Sequence, residues 1–198
     1  MFKAKRIILL GLGNSGKDME DGFIAKVGQT LASQCDSNKK VKSCTLLLPS
    51  SFPSNDAPFS DLATEFYSSL YSDNRYRTGD KVTKKAEDLD TVSVVFEDDG
   101  VDSALVNTAI ESGKAMSSGV FLTKDIVNAP HNVLNSESLA NVARQIAEES
   151  GGTITCKILG KDECEKRGMG AYLGVARGSE TEPQFIHLTY SPKSGNAR

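Results

Sequence analysis

Histidine is scarce in this chain: only His131 and His187 occur, and neither has a second His or Cys at metal-ligand spacing. A site built on histidine ligands is therefore not legible here. The four cysteines, at 35, 44, 156 and 164, contain no C-x-x-C pair. That excludes the usual zinc spacings and a disulfide framework, and it fits a reducing compartment. Long apolar runs are missing too. Ile7–Leu10 and Thr45–Leu48 are strand-sized, far short of a membrane span, and no signal-peptide pattern opens the chain. An excess of positive charge is also lacking. The formal net charge is −3, which argues against nucleic acid, because phosphate neutralisation needs clustered Lys and Arg. No Gly-Ser pair reads as G-x-S-x-G, so a nucleophile-elbow serine is absent.

What remains is the composition of a globular protein, 38% hydrophobic and 25% charged over 198 residues. The apolar run Arg6–Leu10 reads as a buried strand. Phe23, Ile24, Val27 and Leu31 then recur at helical spacing, and "CTLLLP" forms a second strand ending at Pro49. "SSFPSNDAPF" is a loop by composition, followed by an amphipathic helix through Phe59, Leu62, Ala63, Phe66, Tyr67 and Leu70. A polar stretch, 73–90, leads to a third strand, "TVSVVFED". This β-α-β-α-β order predicts an α/β fold with a mostly parallel sheet flanked by helices.

From about Asp102 to Val127 one long helical segment follows, of the kind that bridges domains. "NAPHNVLN" stops it, and a new helix starts at Asn135 or Ser136 with Leu139, Val142, Ala143 and Ile146 as its buried face. Gly151-Gly152 ends that helix. "TITCKIL" is a strand, "KDECEKRG" a short polar helix, and "PQFIHLTY" a last strand with Ile186, Leu188 and Tyr190 on one face.

Gly11, Gly13 and Gly16 spell G-x-G-x-x-G, and Gly11 to Lys17 also spell G-x-x-x-x-G-K. Neither cofactor reading holds. A dinucleotide site needs an acid at the end of the second strand, which here ends in "LLLPS"; Asp36 lies before that strand. A P-loop needs Ser or Thr after Lys17, and this chain has Asp18, whose carboxylate would repel phosphate. The loop reads as a glycine-rich turn. The acidic groups "DMED", "FEDDG" and "DECE" read as surface charge, and no catalytic, cofactor-binding or metal-ligating residue is assigned in this chain.

"KDIVNAPHNVLNSESLANVARQIAEESG" and the following "KILGKDECEKRGMGAYLGVARGSETEPQFIHLTY" resemble the leucyl aminopeptidase (cytosol aminopeptidase) family of metallopeptidases. The shared elements are Val127, Asn128, Pro130 and Asn132, then Gly168-Met169-Gly170 with Leu173 and Val175, Gly178-Ser179, and Pro183 leading into the strand ending at Tyr190. "RIILLGLGN" also fits the family's N-terminal domain. The resemblance implies three parts: residues 1–101 as a partial N-terminal α/β domain, 102–127 as a linker helix, and 128–198 as the start of a second α/β domain, the catalytic one. It implies a homo-hexamer in the cytoplasm, or in a plastid or other organelle, that releases N-terminal residues from peptides. Two divalent metals, zinc or manganese, would polarise the carbonyl and activate water, assisted by a lysine and a bicarbonate-bound arginine.

The family's ligand motifs, of the types G-K-G-x-T-F-D-x-G-G and N-T-D-A-E-G-R, occur nowhere in these residues. The expectation is therefore a chain cut at both ends, truncated before the metal site, binding no metal and catalytically inert alone. The alternative is a truncated, non-catalytic paralogue acting as a structural subunit of a larger assembly. That alternative expects exposed apolar surface along the strand ending at Tyr190.

Overall fold

The fold was analysed in a computed structural model that describes residues 4–11, 23–38, 40–49, 57–97 and 100–192. The elements run α1 (Phe23–Ser37), β1 (Ser43–Leu48), α2 (Ala57–Ser69), β2 (Thr91–Phe96), α3 (Ser103–Asn128), α4 (Ser136–Glu149), β3 (Ile154–Leu159), α5 (Lys161–Lys166), α6 (Gly170–Ala176) and β4 (Phe185–Tyr190). A single 3-10 turn, Gly79–Lys81, lies in the polar stretch between α2 and β2. The chain divides into two compact units, Met1–Val120 and Phe121–Arg198, with the boundary inside α3.

In the first unit β1 and β2 pair in parallel, from Ser43 opposite Thr91 to Leu48 opposite Phe96. A parallel pair needs a crossover, and α2 provides it. The apolar run in β1 is used on one side only: Cys44, Leu46 and Leu48 turn inward while Leu47 is 67% exposed. Two buried clusters result. Leu48, Phe59, Val106 and Ala109 form one, with Phe59 edge-on to Phe96 at 5.4 Å. Leu31, Ala32, Cys35 and Phe66 form the other, against Cys44, Leu70, Leu89 and Val92. Helix α3 turns Val106, Ala109, Gly113 and Ser117 inward, three to four residues apart, as an amphipathic stripe requires.

Helices α1 and α2 approach closely at Gly28, where a Cβ would collide with the Leu62 carbonyl oxygen. Likewise α2 and α3 meet at Gly113, where a Cβ would meet the Ser60 carbonyl oxygen, with Ala63 Cβ at 2.8 Å and Thr64 N at 3.0 Å. The polar stretch is tied down by side chains. Asn74 donates to the Thr83 carbonyl (2.7 Å) and accepts from its amide (2.9 Å), and Asp36 accepts from the Ala86 amide (3.0 Å).

Arg6–Leu10 is not a strand, which corrects the sequence reading. Residues 6–11 carry no regular structure, and Ile7 and Leu9 are 70% and 92% exposed. A strand exists only by pairing, and among the described residues β1 and β2 pair only with each other. The glycine-rich loop at Gly13, Gly16, Lys17 and Asp18 lies outside the described residues, as does most of "SSFPSNDAPF".

In the second unit β3 and β4 pair antiparallel, from Ile154 opposite Tyr190 to Leu159 opposite Phe185. The α/β class therefore holds, with one parallel and one antiparallel pair among the described residues. Helix α4 packs Ala140 and Ala143 inward. Its N-cap is Asn135, whose side chain accepts from the Ser138 amide (2.9 Å) while Ser138 Oγ accepts from the Asn135 amide (2.8 Å). This is a capping box with Ser in place of the usual Glu or Gln. Gly151 and Gly152, at φ +60 and +87, turn the chain out of α4 in the left-handed region that favours glycine. On the β4 face that carries Ile186, Leu188 and Tyr190, Ile186 is partly covered, while Leu188 and Tyr190 are exposed.

Candidate functional site

Three of the resemblance-bearing residues of the second unit, Val175, Ser179 and Pro183, share one place. Pro130, in the turn that ends α3, accepts hydrogen bonds at its carbonyl from Val133 and Leu134 (both 2.9 Å), which sets up Asn135 as the cap of α4. Gly168, at φ +70, ends α5; Met169 N bonds back to Cys164 O (3.0 Å), and Gly170 opens α6. A shallow cavity of about 200 Å³ lies beside α6, lined by Ser136, Tyr172, Val175, Ser179, Thr181 and Pro183 among others. Three of these, Val175, Ser179 and Pro183, were singled out in the sequence. Ser136 was named there only as an N-cap candidate, and Tyr172 and Thr181 were not singled out. Helix α6 was missed altogether, because "GAYLGVA" is short and contains two glycines, which disfavour a helix.

The serine and threonine hydroxyls at this cavity are already engaged. Ser136 Oγ donates to Glu182 O (2.6 Å) and lies 3.0 Å from Thr181 Oγ1, which in turn is 3.0 Å from Ser179 Oγ. Glu182 Oε1 accepts from the Lys161 amide (3.1 Å). Tyr172 stacks edge-on against Phe185 at 5.7 Å, and burial, helped by Cys164, raises its phenol pKa. The hydrogen bonds of Ser136, Thr181 and Ser179 run to hydroxyls and backbone groups, not to a histidine or carboxylate that could act as base. The network positions α4, α6 and β4 against each other and performs no visible chemistry.

The two histidines are not brought together. His131 sits exposed in the turn before α4, and His187 lies exposed on β4 with Nε2 3.5 Å from Thr189 Oγ1. Among the described residues no group of three or more His, Cys, Asp or Glu stands close enough to hold a metal ion. Charged side chains pair at the surface instead. The Arg75 hydrogen bond holds the Asp73 carboxyl down to about 2, and the Arg167 hydrogen bond lowers Glu163. Glu87 raises Lys84 by the same means. The "DECE" run is thus helix-surface charge in part, with Glu163 bonded to Arg167 at 2.8 Å. "DMED" and two residues of "FEDDG" lie outside the described residues.

Comparison with known proteins gives two family matches in order along the chain. The N-terminal domain of the cytosol aminopeptidase family matches residues 1–80, and the catalytic domain of the same family matches residues 121–198. A probable cytosol aminopeptidase of Rippkaea orientalis is 33% identical over 95% of this chain and 36% of its own length. That of Cyanothece sp. (strain PCC 7425) is 35% identical over 98% of this chain and 37% of its own. A solved tomato leucine aminopeptidase mutant superposes with a TM-score of 0.78 at 26% identity, over 94% of this chain and 36% of that one. The chain spans a little over a third of the length of these relatives. With both domain matches in order along the chain and these relatives aligned over nearly all of it, this chain belongs to the cytosol aminopeptidase family.

Proposed function

We propose that these residues supply the N-terminal α/β domain and the opening of the catalytic domain of a leucyl aminopeptidase. That enzyme is a metal-dependent exopeptidase releasing N-terminal residues from peptides. In this division residues 1–101 form the first domain, 102–127 the linking helix, and 128–198 the start of the second. The supporting observation is the order of the matches, residues 1–80 to the N-terminal domain and 121–198 to the catalytic domain, with α3 running into the second. Residence in the cytoplasm belongs to the same reading, supported by the relatives' designation and by the absence, among the described residues, of any helix able to cross a membrane. So does assembly as a homo-hexamer, for which light scattering of the purified chain gives the test.

The residues present do not fit a two-metal centre. The family's lysine- and carboxylate-bearing motifs are not in the sequence, and the described acids are spread over separate surfaces. No catalytic step is assigned to them. On this reading the isolated 198-residue chain is inert. Incubated with leucine amide and added manganese or zinc, it is expected to release no more ammonia than the metal alone. Turnover that appears with the chain and disappears with a chelator would overturn the inertness.

A further inference from the structure

The sheet of the second unit ends at an open edge. Its antiparallel register puts Ile154 opposite Tyr190, Cys156 opposite Leu188 and Ile158 opposite Ile186 on one face, with Thr155 opposite Thr189 and Lys157 opposite His187 on the other. Ser191 donates to the Thr153 carbonyl at 2.7 Å, which fixes the phase of the ladder. Bonded and non-bonded pairs alternate in such a ladder, so His187 and Thr189 turn their N–H and C=O groups toward β3. Ile186, Leu188 and Tyr190 turn theirs away from it. Among the described residues those outward groups have no hydrogen-bond partner. The usual means of blunting an edge are missing too: β4 reads "FIHLTY", with no Lys, Asp, Glu or Pro. The side chains tell the same story. Ile154, Cys156 and Ile158 of β3 are partly covered, whereas Leu188 and Tyr190, on the same face of the sheet, are 41% and 68% exposed.

We propose that β4 is a self-association edge, at which two copies of this chain pair β4 against β4, antiparallel, about a two-fold axis at Leu188. The two β3–β4 pairs then join into one four-stranded sheet. A second copy fits because the strand is complementary to itself. With Leu188 opposite the partner's Leu188, Ile186 stands opposite the partner's Tyr190. The outward N–H and C=O groups of Ile186, Leu188 and Tyr190 then all meet their counterparts. The same register carries the apolar face across both copies, pairing Leu with Leu and an aromatic with a β-branched side chain, which favours a sheet. On the other face His187 stands opposite the partner's Thr189, so no like charges oppose each other. A slip of one residue would set outward groups against inward ones and lose the bonds. The contact uses the same patch on both copies, so it closes at a dimer. This use of β4 stands apart from the aminopeptidase reading, since it needs no metal, no substrate and no residue of the first unit.

The test is light scattering of the whole chain over a dilution series, joined to residue-resolved amide exchange. As the chain is concentrated, its mass should rise from 21.2 kDa toward twice that value. The Ile186, Leu188 and Tyr190 amides should then exchange about tenfold more slowly than in the dilute sample, with His187 and Thr189 changing far less. Leu188→Pro should hold the mass at 21.2 kDa throughout. The N–H it removes faces away from β3, where a sheet tolerates proline. Leu188→Lys should do the same by placing a charge on the edge, which keeps the test sound if proline disturbs the fold. Met116→Lys, at an apolar residue 63% exposed on α3, should leave the dimer intact. A chain that stays at 21.2 kDa when concentrated would overturn the proposal. So would slowing of all β4 amides alike. A dimer or hexamer that survives both Leu188 variants would overturn it as well, while leaving the aminopeptidase reading in place.

Discussion

Single residues decide how closely the helices of the first unit pack. At Gly28 and Gly113 a Cβ would run into a neighbouring helix's backbone, and the Gly113 carbonyl also accepts from Thr64 Oγ1 at 3.3 Å. Replacing Gly113 with Ala gains helix propensity of about 1 kcal/mol but forces α2 and α3 apart, and overpacking of this kind costs about 1–3 kcal/mol. Gly119 is the internal control: it lies on the same helix with nothing within 4 Å of an added Cβ. Gly113→Ala is therefore expected to lower the urea midpoint and Gly119→Ala to leave it unchanged or raise it. Equal midpoints in the two variants would show that α2 and α3 can separate at no cost. Nothing in the sequence distinguishes these glycines, since contact between helices is not written in either helix alone.

At the scale of elements, capping was legible and pairing was not. Asn135 was one of two N-cap candidates, and the structure selects it over Ser136, whose hydroxyl is used across the cavity on Glu182 O. Asn135→Ala removes the bond from the Ser138 amide and keeps the reciprocal one, which the Asn135 backbone amide donates to Ser138 Oγ, at a cost of about 1 kcal/mol. Hydrogen exchange should report it locally, with faster exchange at the first amides of α4 and no change in β1 or β2. Uniform acceleration across the chain would mean that the cap holds more than its own helix. The strand at Arg6–Leu10 shows the opposite case. Its apolar run satisfies the strand pattern, yet residues 6–11 carry no ladder, because a strand needs a partner edge that a local pattern cannot specify. The direction of β4 against β3 was likewise invisible, since period-2 alternation is the same in parallel and antiparallel pairs.

For the whole molecule, proton linkage ties the first unit's core to pH. The Cys35 thiol is raised in the folded chain from 9.0 to about 12, by burial first and Cys44 second. Between those values the unfolded chain has released the proton and the folded chain has not, so the unfolded state binds fewer protons and stability falls as pH rises. The contribution is fully present below pH 9 and is lost on approach to pH 12. Under reducing conditions the urea midpoint of the wild-type chain should fall more steeply across that window than that of Cys35→Ala. Parallel slopes would show that Cys35 is not shielded in the folded state.

Local order in this protein came from its own sequence. Helices α1 to α4, both parallel strands and the capped turn at Asn135 follow from apolar spacing, Pro and Gly placement and side-chain caps, all of which act within a few residues. The motif residues Val175, Ser179 and Pro183 were visible by type and spacing, and so was the family. Tertiary structure alone decided three things: that Arg6–Leu10 goes unpaired, that Ser136, Tyr172 and Thr181 share one cavity, and that Cys35 and Cys44 fall in one apolar cluster. Each depends on which distant segments touch, and burial and pairing partners are properties of the packed chain, not of any stretch of it.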